Sequence, residues 1–369
     1  MSKMKYYSLD KILKENADYN IIYGERSNGK TTAVLYYGLK DYVESGYINQ
    51  LAIVRRWEED YKGKNGSQMF EGIVSLGWVK ELTNNAYNNI TYFGQRWFLS
   101  KYSDEGKKEY QDEKPFALGF SITSEEHYKS TSYPNIKTVL FDEFITRSYY
   151  IPNEFIKFQN LLSTIIRLRD DVKIFMCGNT INQYCPYFAE MGLRGVRKQK
   201  QGTIDVYLYG ETDLKVAVEY TEDGSKGKKS NKYFAFDNPK LKMIKTGSWE
   251  IDIYPHLPVK YIQSDIKYQY YIYFNEQLLQ CEIIRCKELK KYITFIHRKT
   301  TPIKEEDNGL RFQEEVNADK RYRRKINIPF DTLGKKLWQF FVQDNVYYQD
   351  NEVGEVIRNY IIWCKKEGI

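Results

Sequence analysis

The chain of 369 residues has only three histidines and five cysteines, and Cys177, Cys185, Cys281, Cys286 and Cys364 form no C-x-x-C pair. A zinc site or a disulfide framework is therefore not expected, and reduced thiols in a cytosol are. No stretch approaches the ~18 consecutive apolar residues of a membrane-spanning helix, so no membrane partner is expected. Residues Met1 to Asn16 are charged throughout and contain no apolar core of the secretory-signal type. No internal repeat is visible. What the chain does have is ordinary for a soluble folded protein, 42% apolar and 28% charged residues. Its length suggests two or three domains at ~150 residues each. Its 34 tyrosines accompany abundant Lys, Asn and Ile, the bias of an A·T-rich genome.

The net charge of +7 is unevenly placed. Residues 196–369 hold 31 Lys and Arg against 25 Asp and Glu, whereas residues 1–195 hold 25 against 24. The later half carries nearly all the excess, which fits either a polyanionic partner there or a merely solvated Lys-rich surface.

Residues 24–31 read Gly24-Glu25-Arg26-Ser27-Asn28-Gly29-Lys30-Thr31, a complete G-x-x-x-x-G-K-T phosphate loop, followed by Thr32. An apolar run, Tyr19 to Tyr23, precedes it as a short buried strand. Thr32 to Tyr37 follow as a helix start, so the motif has the strand–loop–helix context it requires. In such a loop backbone N–H groups converge on phosphate oxygens at a positive helix terminus. Lys30 would reach the β- and γ-phosphates, and Thr31 would hold Mg²⁺ through its hydroxyl. Arg26 is a further cation in the loop, able to neutralise phosphate charge or to link phosphate state to a neighbouring chain. Arg55 and Arg56 are placed to do similar work.

Ile21–Tyr23, Leu51–Val54, Val139–Phe141 and Val172–Cys177 read as buried strands, with helical patterns over Thr31–Ser45 and Asn153–Arg167. That alternation predicts a helix-flanked parallel sheet and an α/β fold. Ile90–Tyr102 and Pro115–Ile122 read as a hairpin with a charged tip, inserted at an edge or surface. Short strands follow at Thr203–Tyr209 and Lys215–Tyr220. A charged Gly/Ser run, Thr221 to Lys232, reads as a linker. Beyond it, Trp249–Tyr254, Tyr268–Phe274, Gln280–Arg285 and Ile293–His297 read as strands, and Leu333–Gln343 and Glu352–Lys365 as helices.

A phosphate loop alone does not separate kinase from hydrolase or motor. The residues that do are Thr138-Val139-Leu140-Phe141-Asp142-Glu143, a strand ending in paired carboxylates. Asp142 suits the Mg²⁺ shell, and Glu143 suits a general base for attacking water. Asn179, at the tip of the Val172–Cys177 strand, is either a γ-phosphate sensor or a turn residue. Asn153 should cap the next helix after Pro152, with an apolar face from Phe155 and Ile156 to Ile166. Arg167 lies on its polar stripe, either a solvated helix-end cation or an arginine finger for a neighbour's ATP.

Taken together, Gly24–Thr32, Ala52-Ile53-Val54-Arg55-Arg56-Trp57, Ser132-Tyr133-Pro134-Asn135-Ile136, Phe141-Asp142-Glu143-Phe144-Ile145, Tyr150-Ile151-Pro152-Asn153-Glu154 and Pro186-Tyr187-Phe188 resemble the DNA-packaging (encapsidation) ATPase of phi29-like small tailed phages. The resemblance is strong over about residues 5–195 and traceable beyond, as at Phe236-Asp237-Asn238. It implies a P-loop NTPase domain of the additional-strand, catalytic-glutamate type over residues 1–218 and a short linker over 219–247. An α/β RNase H-like domain with vestigial nuclease features is implied over 248–369, contacting nucleic acid or the portal. It further implies a ring homo-oligomer, a homopentamer, that uses ATP and Mg²⁺ to drive double-stranded DNA into a prohead. The ring would act in the host cytoplasm at the portal vertex, with a packaging RNA as a candidate partner. Carried over by position, Lys30 and Thr31 are the phosphate-loop residues, Asp142 the Mg²⁺ carboxylate, Glu143 the base and Arg167 the trans-acting finger. Where the phi29-type protein has a basic residue, this chain has Trp57-Glu58, so no interface role carries over there.

An active nuclease site needs several acids converging on two metals. The strand Tyr268–Phe274 ends in Asn275-Glu276 and carries no Asp, so nuclease activity is not expected. The basic run Lys320 to Lys325 and the loop Lys226–Lys232 are candidate phosphate-backbone contacts, or solvated charge. Other readings are a different P-loop motor, such as a helicase or a nuclease-active terminase, and a nucleotide-gated nucleic-acid adaptor. Tyr6, Tyr7 and Leu9 are placed by position near the adenine.

Overall fold

The computed structural model describes residues 7–26, 28–146, 150–151, 153–182, 184–222, 249 and 254–366. Ser27, Tyr6, nearly all of the expected 219–247 linker, the loop Lys226–Lys232 and the middle of the expected strand Trp249–Tyr254 lie outside the described residues. The chain divides into two compact units, Met1–Glu250 and Ile251–Ile369.

The first unit is built on one sheet. β1 (Tyr19–Gly24), β2 (Gln50–Arg55), β6 (Ala117–Ser121), β7 (Ile136–Asp142), β8 (Lys173–Asn179) and β10 (Leu214–Tyr220) run parallel in the order β6-β2-β7-β8-β1-β10. Their continuous apolar runs are explained by burial on both faces. On one face Ile22, Ile53 and Leu140 pack with Val34, Leu35 and Leu39 of α2 (Lys30–Glu44). On the other, Ile21, Val54, Val139 and Phe141 pack with Phe158, Leu161, Leu162 and Ile165 of α6 (Glu154–Ile166). Adjacent residues of each strand thus serve opposite layers. Ile156, expected on the apolar face of α6, is instead exposed.

Two expectations are corrected. Ile90–Tyr102 is not one strand but a hairpin, β3 (Asn89–Phe93) against β4 (Arg96–Tyr102). Gly94 and Gln95 both have positive φ, 56° and 60°, the geometry of a two-residue turn that matches strand twist. The Pro115–Ile122 segment is not part of an insertion. It supplies β6, which meets β4 antiparallel over two residue pairs but lies parallel beside β2 in the main sheet. The charged tip holds β5 (Lys108–Gln111), paired with β4. At the far edge β9 (Ile204–Tyr209) runs antiparallel to β10.

In the second unit β11 (Ile266–Phe274), β12 (Gln277–Cys286) and β13 (Lys291–Arg298) form an antiparallel meander. Asn275 and Glu276, both with positive φ, make the tight turn between the first two. β14 (Arg311–Gln313), β15 (Tyr322–Arg323) and β16 (Val346–Tyr348) extend it in parallel, giving the order β15-β14-β11-β12-β13-β16. Helices Thr332–Val342 and Asn351–Lys366 fall where the apolar periodicity places them. Among the described residues, no helix is long and apolar enough to cross a membrane.

Candidate active site

The carboxyl ends of β1, β2, β7 and β8 converge, the position at which open α/β sheets hold ligands. A cleft of about 500 Å³ opens there, lined among others by Arg26, Lys30, Thr31, Asp142, Glu143 and Asn179. The loop is shaped by two glycines. Gly29 sits at φ 91° and starts α2, its carbonyl accepting from Ala33 N at 2.9 Å. Gly24 leaves β1 against Thr221, whose hydroxyl a Cβ at Gly24 would strike. Asn28 Nδ2 donates to that same hydroxyl at 3.0 Å, so the loop leans on the end of β10.

Lys30 is buried, and its Nζ donates to Glu25 O at 2.5 Å, Asn28 Oδ1 at 3.2 Å and Asn179 Oδ1 at 3.2 Å. The ammonium is therefore aimed across the loop toward the tip of β8. Thr31 Oγ1 donates to Asp142 Oδ1 at 2.6 Å. A hydroxyl and a carboxylate in contact at a helix N-terminus fit Mg²⁺, which keeps several waters and takes one or two protein oxygens beside phosphate. Burial pushes the Asp142 carboxyl above its usual range, against the pull of Arg55 and Thr31.

Two arginines at the end of β2 surround the carboxylates. Arg55 Nη1 lies 3.1 Å from Asp142 Oδ2 and 3.0 Å from Glu143 Oε2, bridging the pair. Arg56 makes a fork with Glu154, Nε to Oε2 and Nη2 to Oε1, each 2.8 Å. It also donates to the carbonyls of Glu143 at 3.3 Å and Phe144 at 3.0 Å. Both partners are buried, Arg56 7% and Glu154 3% exposed. Glu143 itself has φ 58°, a left-handed conformation that costs a non-glycine roughly 1–2 kcal/mol. Such a residue keeps that conformation only where its surroundings fix it.

The sequence brings Lys30, Thr31, Asp142, Glu143, Asn179 and Arg26 to one place. Thr32 lines the same cleft, and Glu25 serves through its carbonyl. Arg167 does not join them. It ends α6 at φ 54°, and Nη2 donates to Thr131 O at 3.0 Å, near the start of β7 rather than its end. The seven residues of β7 put roughly 20 Å between those ends. Arg169, by contrast, is spent on carbonyls of Tyr133, Pro134, Ile136, Ile165 and Ile166. Leu168 between them is fully exposed.

Glu154, buried and paired with Arg56 beside the site, is the residue that sequence reading missed. Its signal was an acid in the first turn of a helix whose neighbours are apolar, since a buried carboxylate needs a cation. Asn153, expected as a side-chain cap, makes no cap hydrogen bond and sits at φ 55°. Glu154 instead reaches back over the segment before the helix, accepting from Ile151 N at 2.7 Å while its own N–H donates to Ile151 O at 3.0 Å.

In the second unit the run Lys320 to Lys325 is largely self-engaged. Arg321 pairs with Asp319 at 2.6 Å and donates to Glu305 and Asp307 carbonyls. Arg324 donates to Glu314 O and lies over the Trp363 ring. Arg323 bonds Lys320 O and Tyr322 O and lies over Phe330. Among the described residues, no group of three or more His, Cys, Asp or Glu could hold a metal ion.

A family model described as Podovirus DNA encapsidation protein (Gp16) matches residues 1–207. The DNA packaging protein of Bacillus phage phi29 is 28% identical over 191 residues, 51% of this chain and 50% of that protein. That of Bacillus phage B103 is 28% identical over 189 residues, half of each chain. The chain therefore spans about half the length of the curated relatives it matches. A structure of the bacteriophage Phi-29 viral genome packaging motor assembly is similar at a TM-score of 0.54 and 18% identity, covering 98% of this chain and 99% of that one. The Phi-28 gp11 DNA packaging motor is similar at 0.53 and 19%, covering 100% of both. At these identities the two structures speak to fold alone.

Proposed function

The chain belongs to the Podovirus DNA encapsidation protein (Gp16) family, and on that premise we propose that it is an ATP-hydrolysing subunit of a motor that moves double-stranded DNA into a prohead. The observation that carries the reading is the convergence of Lys30, Thr31, Asp142 and Glu143 on one cleft at the ends of parallel strands. The position of β8 between β1 and β7 supports the additional-strand type of P-loop fold. An antiparallel meander extended by parallel strands beside its first strand supports the RNase H-like reading of the second unit. The proposed division is 1–218, a linker over 219–247, and 248–369.

In this mechanism the loop amides and Lys30 hold the phosphates of ATP, and Asn179 senses the γ-phosphate from the tip of β8. Thr31 and Asp142 hold Mg²⁺, which supplies positive charge to the phosphoryl oxygens when bound. Glu143, largely exposed to the cleft, orients water and takes its proton. Arg55 holds both carboxylates together and offsets their mutual repulsion. Arg26, exposed at the loop tip, lines the cleft from the phosphate side. Tyr7 donates its backbone N–H to Asn28 O at 3.2 Å, and Tyr7 and Leu9 border a second pocket reaching Thr32, the proposed side of the adenine.

Arg167 lies too far from its own cleft to act there, so the proposed finger serves a neighbour in a head-to-tail ring. The partners of that ring are double-stranded DNA, the portal or connector and, as a candidate, a packaging RNA. The ring is proposed as a homopentamer acting in the host cytoplasm at the portal vertex. Multiple-turnover phosphate release from Mg·ATP, with and without double-stranded DNA, tests the reading. Turnover raised by DNA is expected, and single-turnover binding in both conditions would leave only a nucleotide-gated adaptor.

A further inference from the structure

Glu143 would act through its carboxylate, which Arg55 holds at 3.0 Å, and its backbone is constrained as well. The residue is left-handed, and nothing in its own chemistry favours that conformation over the ordinary ones. Arg56 reaches it from the end of β2, donating to its carbonyl and to the next one at Phe144. The guanidinium is in turn fixed as a planar fork on Glu154. Glu154 is fixed by Ile151 N at 2.7 Å and by the Tyr187 hydroxyl at 2.9 Å. Tyr150 closes the group, with the Arg56 guanidinium 5.2 Å from its ring centroid. Five stretches thus meet on one buried ion pair: the end of β2, the 143–144 turn, Tyr150 and Ile151, the first turn of α6, and Tyr187 of the helix Pro186–Glu190.

We propose that the Arg56–Glu154 pair is a positioning device that holds the left-handed backbone of Glu143 and so sets the aim of its carboxylate at water in the cleft. The inference rests on the hydrolase reading above. It assigns neither Arg56 nor Glu154 a contact with ATP; both act through Glu143. A planar fork matters here, because one edge of the guanidinium must satisfy a carboxylate while its other N–H groups hold two carbonyls. Lysine, whose three N–H donors all radiate from one nitrogen, cannot match both carboxylate oxygens and still reach two carbonyls. The same pair sits at the start of α6, whose far end carries Arg167, so the helix and the Glu143 turn share one anchor.

The test uses the full chain and three variants: Arg56→Lys, Glu154→Gln and the near-isosteric Tyr187→Phe. The readouts are kcat and KM for ATP, binding of a fluorescent ATP analogue, and the melting temperature. Misaiming a catalytic group by about 1 Å costs on the order of 10²-fold, so kcat should fall by that order in Arg56→Lys and Glu154→Gln. It should fall less, but measurably, in Tyr187→Phe. Analogue affinity should stay within about twofold of wild type, because Arg56, although it lines the cleft, has its N–H groups largely spent on Glu154 and on the carbonyls of Glu143 and Phe144. Folded variants that keep wild-type kcat would overturn the proposal. If the two charge variants fail to fold, Tyr187→Phe decides, and an unchanged kcat there overturns it. Loss of analogue binding in parallel with kcat would also overturn it, because a general collapse of the cleft moves both. A wild type that hydrolyses nothing overturns the hydrolase reading itself and this inference with it, whereas an active wild type with equally active variants removes only the pair.

Discussion

The first unit keeps its decisive charges inside, around one cleft, while the second spends its arginines on its own loops. Arg55, Arg56, Asp142 and Glu154 are largely or fully buried, each with an opposite charge within 3.1 Å. Arg321, Arg323 and Arg324 instead hold carbonyls, an aspartate and aromatic rings of their own surface. Counted at the boundary between the units, residues 251–369 hold 20 Lys and Arg against 17 Asp and Glu. A surplus of charge is therefore a poor guide to where the chemistry lies. Burial and pairing are better ones, because a buried ion must be matched or the fold fails.

The contrast can be broken most forcefully at Arg167. If the first unit completes its site only with a neighbour, Arg167→Ala should cut ATP turnover on the order of 10³-fold in assembled rings. Mixing Arg167→Ala with Glu143→Ala subunits should restore part of it, because some interfaces then pair an intact finger with an intact base. Normal turnover by Arg167→Ala under assembly conditions would return Arg167 to a solvated helix end. Next comes Lys30→Ala. Charge-assisted hydrogen bonds to phosphate contribute about 1.5–3 kcal/mol, so nucleotide affinity should drop roughly 10- to 100-fold in equilibrium binding. A third handle is Gly24→Ala, which sets a methyl against the Thr221 hydroxyl. Overpacking of this kind costs about 1–3 kcal/mol and should lower the melting temperature while weakening nucleotide binding.

Smaller effects belong to the second unit. Burial would raise the Glu282 carboxyl, but hydrogen bonds from His297, Tyr261 and Gln280 overcome it and bring it down to about 2. A depressed carboxylate stabilises the fold above its unfolded value and loses that contribution as pH falls through its folded one. The stability gap between wild type and Glu282→Gln should therefore be full between pH ~4.5 and ~6.5, close as pH approaches ~2, and shrink as pH rises through the raised value of its His297 partner, read by urea melts of the full chain. Smallest of all is the effect of Arg321→Ala on DNA affinity. Its guanidinium is already occupied, so the salt slope of binding should change by less than the ~0.9 expected for a lost phosphate contact. A full unit of change would mean that Arg321 leaves Asp319 for DNA.

Much of this was legible in the sequence because local chemistry wrote it there. The phosphate loop, the strand ending in Asp142-Glu143 and the doubly buried strands of the main sheet all follow from short-range patterns. What was not legible depends on approach across the fold. Glu154 sits 98 residues from Arg56, and no spacing rule connects them. The role of β6 was hidden because a strand beside a hairpin and a strand of the central sheet read alike. The hairpin turn at Gly94-Gln95 was missed because Gln is not a usual residue for a positive φ. The basic run was legible as charge but not as occupied charge, since its partners lie on other loops.

The central claim is that the cleft of the first unit hydrolyses ATP with Glu143 as base. The direct measurement is phosphate release from Mg·ATP by wild type and Glu143→Gln, alongside nucleotide affinity for both. The account predicts equal binding and a fall in turnover of about 10²- to 10⁴-fold, the usual worth of a positioned general base. Equal turnover by the two proteins would contradict it.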